Sequence, residues 1–296
     1  MPKILKTDKS ELNKLYSVKK LGSYEIARLL HCSQSLIMKR LREYGIKTRG
    51  IQEAKALTKP RFIRNDFSGD MTEKAYLIGF RLGDLHVLKT HPNSPTIQVR
   101  TNSTKEEQLL LFEKLFSQYG YVKRSPKDTS GATSIRTYLN DSFDFLLKKE
   151  DGIEDWIRDR YIVPFLAGYA DAEGTFCICG GDGVFSIKSQ DKSILFTLCE
   201  ELNRTGVLCK SPTLFRAAGS VDYRGVKCNK NAYIFTIYRK DSLLKLVELI
   251  RPFLKHGKRV KDMLLVKQNI DDRNKKYNFK EDRRWHKTYS RTHERP

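Results

Sequence analysis

Six cysteines in 296 residues are too few and too scattered for a disulfide framework. Cys32, Cys177, Cys179, Cys199, Cys209 and Cys228 include no C-x-x-C pair, which removes the usual zinc-ribbon spacings. They read as reduced, mostly buried thiols. His31, His86, His91, His256, His286 and His293 are equally dispersed and form no H-N-H or H-E-x-x-H pattern. No apolar run is long enough to span a bilayer and none at the start reads as a secretory signal. An intracellular, reducing location (cytoplasm, nucleoid or organelle matrix) with no membrane partner is therefore expected. Acids are scarce, with 35 Asp+Glu against 56 Lys+Arg and a formal charge of +21. That balance suits a protein that meets a polyanion. A hydrophobic share of 39% excludes wholesale disorder.

The charge is uneven. Residues 1–50 carry +8 and residues 255–296 another +8, so the middle two-thirds holds the remaining +5. The ends suit flanking grips on a duplex.

Residues 1–50 read as a small helical module. Leu12, Leu15, Tyr16 and Val18 give an amphipathic first helix, Gly22-Ser23 breaks it, and Ser23 is placed to cap the next. The second helix, Tyr24 to Leu30, turns Ile26, Leu29 and Leu30 inward. A turn at His31-Cys32 leads to a third helix from Gln34 to Tyr44, capped by Ser33, with Leu36, Ile37 and Leu41 as its core face. The order resembles a helix-turn-helix. Gln34 and Ser35 are then candidates for base edges, and Lys39, Arg40, Arg42, Lys47 and Arg49 for phosphates. Residues 51–70 lack periodicity and read as a linker.

From residue 71 a pattern repeats. Tyr76-Leu77-Ile78-Gly79-Phe80-Arg81-Leu82-Gly83-Asp84 and Phe165-Leu166-Ala167-Gly168-Tyr169-Ala170-Asp171-Ala172-Glu173-Gly174 are both apolar and both carry small residues four apart. Each brings a carboxylate to the same place. Strand, strand, helix, strand, strand and helix follow in each copy, including a helix over 142–149 in the first and helices over 242–254 and 260–270 in the second. The copies span 71–158 and 159–270, and a basic tail, 271–296, follows. The fold class is α+β, two αββαββα subdomains after the small all-α module. Gly79 with Gly83, and Gly168 with Ala172, share one helix face and let two backbones approach closely. Carboxylates at helix C-termini are opposed by the helix dipole, so a matched pair calls for a reason.

The second motif is nearly LAGLIDADG itself, and the chain resembles the single-chain, two-motif LAGLIDADG homing endonucleases over about residues 71–270. The resemblance implies that the motif helices pack along a pseudo-two-fold axis and that two four-stranded sheets form a saddle over a DNA major groove. It implies a monomer that cuts both strands of a long, pseudo-palindromic or asymmetric DNA site. Asp84 and Glu173 would hold divalent metal, Mg²⁺ with Mn²⁺ able to substitute. Asp171 belongs to the motif, but the first copy has Leu82 there, so it is left out of the catalytic set. The family pattern also implies water-ordering polar residues near Asn102 and Gln190. It implies a basic group as well, Lys258 or Lys255 in the second copy and Lys148 or Lys149 in the first. Groove-facing candidates are Gln98, Arg100, Ser186, Lys188, Arg216, Arg224, Thr236 and Tyr238. Which residue of each strand faces DNA depends on register. Two other activities fit the same resemblance: a transcriptional regulator that has lost cleavage, and an intron RNA maturase with RNA as its partner.

Overall fold

The computed structural model describes residues 8–50, 53–54, 62–92, 94–148, 152–222 and 225–277. The chain divides into two compact units, residues 1–64 with 89–96, and residues 65–88 with 97 onward.

In the first unit, helix α1 (Lys9–Asn13) runs into a π-helical turn (Lys14–Val18), followed by α2 (Ser23–Leu29) and α3 (Gln34–Glu43). Leu12, Leu15, Tyr16, Ile26, Ala27, Ile37, Leu41 and Ile46 form its core. Val18 and Leu29, expected inside, are exposed. The π turn explains Val18, because its longer repeat shifts the helix phase after Tyr16. Leu29 is the last residue of α2, where the chain is already leaving the helix. The α2 cap also differs from expectation. Gly22 is the N-cap, and its N–H donates to Glu25 at 2.8 Å. Ser33 caps α3 as expected, accepting from the Leu36 N–H at 3.2 Å. His31 takes a left-handed φ of 51° in the turn between α2 and α3, the conformation that lets a chain leave one helix and start another within a few residues.

The second unit holds both repeats. The first runs α4 (Met71–Asp84), β1 (His86–Lys89), β2 (Ile97–Ser103), α5 (Glu106–Phe116), β3 (Val122–Lys127) and β4 (Thr133–Leu139). The second runs α6 (Ile162–Glu173), β5 (Gly174–Cys179), β6 (Asp182–Ser189), α7 (Lys192–Arg204), β7 (Thr213–Arg216), β8 (Ala232–Ile237), α8 (Lys240–Ile250) and α9 (Gly257–Tyr277). The sheets have the same topology, β1-β2-β4-β3 and β5-β6-β8-β7.

Strand alternation sets one face of each sheet against the core. Ile97, Val99 and Thr101 of β2 are buried with Ile135, Thr137 and Leu139 of β4, while the residues between them are not. In the second sheet Phe185, Ile187, Phe235 and Ile237 take those places.

Four further expectations are corrected. The helix expected over 142–149 is a 3₁₀ run, Asp141–Leu146. Its buried Phe143 and Leu146 lie three apart, the spacing that a 3.0-residue turn stacks on one side. The last helix extends to Tyr277, into what reads as tail. The end of the expected linker is packed, since the Phe67 ring lies 5.1 Å from Phe145 and 5.4 Å from Phe143. Of the cysteines only Cys199 is buried; Cys177 and Cys179 are exposed on β5. No helix among the described residues is long and apolar enough to cross a membrane.

Candidate active site

The site begins with the crossing of α4 and α6. A methyl group at Gly79 would lie 2.1 Å from the Phe165 carbonyl oxygen, and one at Gly168 would lie 2.0 Å from that of Tyr76. Each glycine of one motif thus receives the backbone of the other at the equivalent position. Only a residue without Cβ permits that approach. Flanking rings repeat the symmetry: Tyr76 stacks with Phe80 and Phe165 with Tyr169, both at 6.3 Å between centroids.

The same crossing carries the two terminal acids toward each other. A methyl group at Gly83 would meet the Ala172 Cβ at 2.5 Å and the Glu173 Cγ at 2.9 Å. Asp84 follows Gly83 directly, and both acids are half-buried. Burial and the nearby Glu173 carboxylate push the Asp84 carboxyl up to about 7. The Arg259 guanidinium and a hydrogen bond from Gln108 oppose that rise. The Gln108 amide donates to Asp84 Oδ2 at 2.6 Å from the first turn of α5. Neither Gln108 nor Arg259 is among the sequence-derived candidates. Gln108 had a visible signal, because it lies in line with Phe112 and Leu115 on the buried stripe of an amphipathic helix.

Asp171, left aside on sequence grounds, is fully buried. Its Oδ2 accepts from the Tyr76 hydroxyl at 2.6 Å, the Lys255 N–H at 2.7 Å and the His256 N–H at 3.1 Å. It ties α6 to the chain entering α9, where Arg259 lies. Burial raises the Asp171 carboxyl, against those three hydrogen bonds and the Arg259 charge.

In the second copy the expected basic residues are engaged elsewhere. Lys258 Nζ is 2.5 Å from Asp262 Oδ2, and Lys255 Nζ lies 4.3 Å above the Tyr76 ring. Lys149 is outside the described residues. Asn102 and Gln190 are both exposed, but they are not equivalent. Ser103 Oγ accepts from the Lys105 N–H at 2.9 Å and Ser189 Oγ from the Asp191 N–H at 3.1 Å. That shared turn aligns Asn102 with Lys188, and Gln190 with Thr104.

Register settles the strand faces. Gln98, Arg100 and Asn102 point away from the core on β2, opposite Tyr138, Arg136 and Ser134 of β4. Ser186 and Lys188 do the same on β6, opposite Thr236 and Ile234 of β8. Tyr238 is exposed just beyond β8. Lys188 Nζ lies 4.2 Å from the Phe215 ring, and Arg216 approaches Asp222 at 3.7 Å. Arg224 lies outside the described residues.

In the first unit Ser35, Lys39 and Arg42 are exposed on α3. Gln34 donates to Ser23 Oγ at 3.2 Å and Arg40 pairs with Glu43 at 2.8 Å. Arg49 is built into the module. Its guanidinium donates to the Lys20 and Leu21 carbonyls and stands 4.0 Å over the Tyr16 ring.

No protein-family model matches the sequence, and no curated protein matches it significantly. Solved structures do resemble it. The homing endonuclease I-WcaI bound to its DNA recognition sequence aligns with 64% of this chain and 86% of its own, at 16% identity and a TM-score of 0.45. I-DmoI in complex with DNA and Mn aligns with 62% and 98%, at 22% identity and a TM-score of 0.41. The LAGLIDADG homing endonuclease I-GzeII in complex with its DNA target aligns with 70% and 92%, at 11% identity and a TM-score of 0.42. Other I-DmoI complexes with DNA contain Ca or, for one variant, were obtained with Mg. At these scores the likeness assigns neither chemistry nor partner to this chain.

Proposed function

We propose that this protein is a divalent-metal-dependent, site-specific DNA endonuclease that cuts both strands at one shared centre. One observation carries the reading: the reciprocal glycine crossing brings the equivalent acids Asp84 and Glu173 of two repeats to one place. Two carboxylates held close at helix C-termini are unfavourable alone and favourable around a cation. Their oxygens fit Mg²⁺ or Mn²⁺, which are commonly bound through one or two carboxylates plus water and phosphate. A bound divalent cation supplies Lewis-acid stabilisation of phosphoryl charge and a more acidic water.

The protein's own groups do the rest. Asp84 and Glu173 hold the cation, and Gln108 fixes the Asp84 carboxylate. Arg259, positioned through Asp171, adds positive charge where negative charge grows. Hydrolysis forms a bond from water oxygen to phosphorus and breaks the bond from phosphorus to the 3′ oxygen, which leaves with a proton. The products are a 5′-phosphate and a 3′-hydroxyl. The outward sheet faces form a saddle in the major groove of a long site, and the N-terminal module acts as a helix-turn-helix that extends it. The protein acts as a monomer, because one chain supplies both halves.

A randomised duplex library incubated with the full chain in Mg²⁺ and in EDTA tests this. The expected result is defined ends at one motif in Mg²⁺ and none in EDTA. Enrichment by binding without cutting would replace the reading with a regulator, and selective retention of RNA with a maturase.

A further inference from the structure

The outward faces of the two sheets differ at equivalent positions. On the first sheet Arg100 lies directly across from Arg136, which lies directly across from Lys123. Three cations therefore form one row across β2, β4 and β3. Like charges set opposite one another destabilise a sheet. No acid pairs with any of the three among the described residues, and Arg136 Nε is buried without a hydrogen-bond partner. Arg124, next to Lys123 but on the other face, is paired at 2.6 Å with both Glu113 and Glu106. The chain thus neutralises the inward cation of β3 and leaves the outward row open.

The Ser103 and Ser189 turns align Arg100 with Ser186. Ser186 pairs with Thr236 and, on its other side, with Thr175. The place of the arginine pair is held by hydroxyls in the second half.

We infer that the Arg100–Arg136–Lys123 row reads guanines in one half of the target, and that the Ser186–Thr236 pair, which holds the places of the two arginines, makes the symmetry-related positions of the other half tolerant. This rests on the proposed DNA reading. Arginine and lysine are the side chains that pair with guanine O6 and N7, whereas serine and threonine accept any base. Directly opposed residues stand about 5 Å apart and neighbouring strands about 4.8 Å. Successive bases on a strand are about 3.4 Å apart, so the row covers two or three adjacent base pairs. The target is accordingly non-palindromic, with its guanines clustered on one side. Each arginine contributes roughly a 10- to 100-fold preference at its base pair.

The test is a selection of bound and cut duplexes from a randomised pool, using the full chain and Arg136→Thr, which installs the residue of the other half. The wild type should return two or three adjacent guanines in one half only. Arg136→Thr should bring the preference at one of those positions close to 1, leave the rest of the motif intact and melt no lower than wild type. A wild-type motif without that cluster, or a variant motif unchanged from it, would overturn the inference while the endonuclease reading stands. So would a uniform loss of binding with a shallower salt dependence, the mark of a phosphate contact. A pool that yields no motif would overturn both.

Discussion

Asp84 is held where a carboxylate is costly. Its pKa of about 7 in the folded chain lies above the ordinary 3.8. A raised acid contributes stability that is complete below the unfolded pKa and is lost as pH rises through the folded one. Metal-free protein should therefore weaken between about pH 4 and pH 7 through this group. Each tenfold change in acidity corresponds to about 1.4 kcal/mol, and partial exposure of the site reduces the effect, so a loss of roughly 1–3 kcal/mol is expected. Thermal melts in EDTA check it. Asp84→Asn should melt higher than wild type at pH 8 and nearly alike at pH 4, and Mg²⁺ should raise the wild type alone. Equal melting of the two proteins at pH 8 would remove the repulsion from the site. At this scale the acids were legible because they recur in a repeat. Gln108 shows in the sequence only as a polar residue on a buried stripe, and Arg259 not at all, because their value lies in reaching Asp84 across the fold. Asp171 looked dispensable since its counterpart is Leu82. It is the only member of the pair that meets two backbone amides from the start of α9, a partnership that sequence spacing does not show.

Among the elements, the α4–α6 crossing leaves the least room. Gly168→Ala would drive a methyl group to 2.0 Å from the Tyr76 carbonyl oxygen. Backbone on both sides cannot yield, so the helices must separate. Overpacking of this kind costs roughly 1–3 kcal/mol and more where nothing can move. Urea titration should show a lower midpoint for Gly168→Ala, and cutting should fall further than binding, because the acids part with the helices. An unchanged midpoint would contradict the close crossing. The small-residue spacing announced this contact in the sequence. The strands were harder, since a run such as Ile97–Ser103 alternates legibly while its outward side depends on pairing. Register with β4 supplies that. The 3₁₀ run at Asp141–Leu146 reads as an α-helix in the sequence because one turn of apolar residues three apart satisfies both periods.

For the whole molecule, charge is the property that a DNA partner would feel first. A net +21 over 296 residues predicts binding that falls steeply with salt, with log affinity declining by about 0.9 per phosphate neutralised for each decade of salt. Competition assays from 50 to 200 mM salt should show a loss of about a thousandfold or more if six or more phosphates are held. A flat response would contradict phosphate-dominated contact. The repeat could be read from the sequence, because each half carries its own periodicity. How the outward faces of the two sheets differ could not, since it depends on which residues stand opposite one another.

The shared centre is tested most directly by following both strands of a plasmid that carries the selected site. If one centre serves both strands, Glu173→Gln binds the site like wild type yet cuts neither strand, and the plasmid stays supercoiled. Linear product, or a nick in one strand at the wild-type rate, would show that Asp84 and Glu173 do not act together.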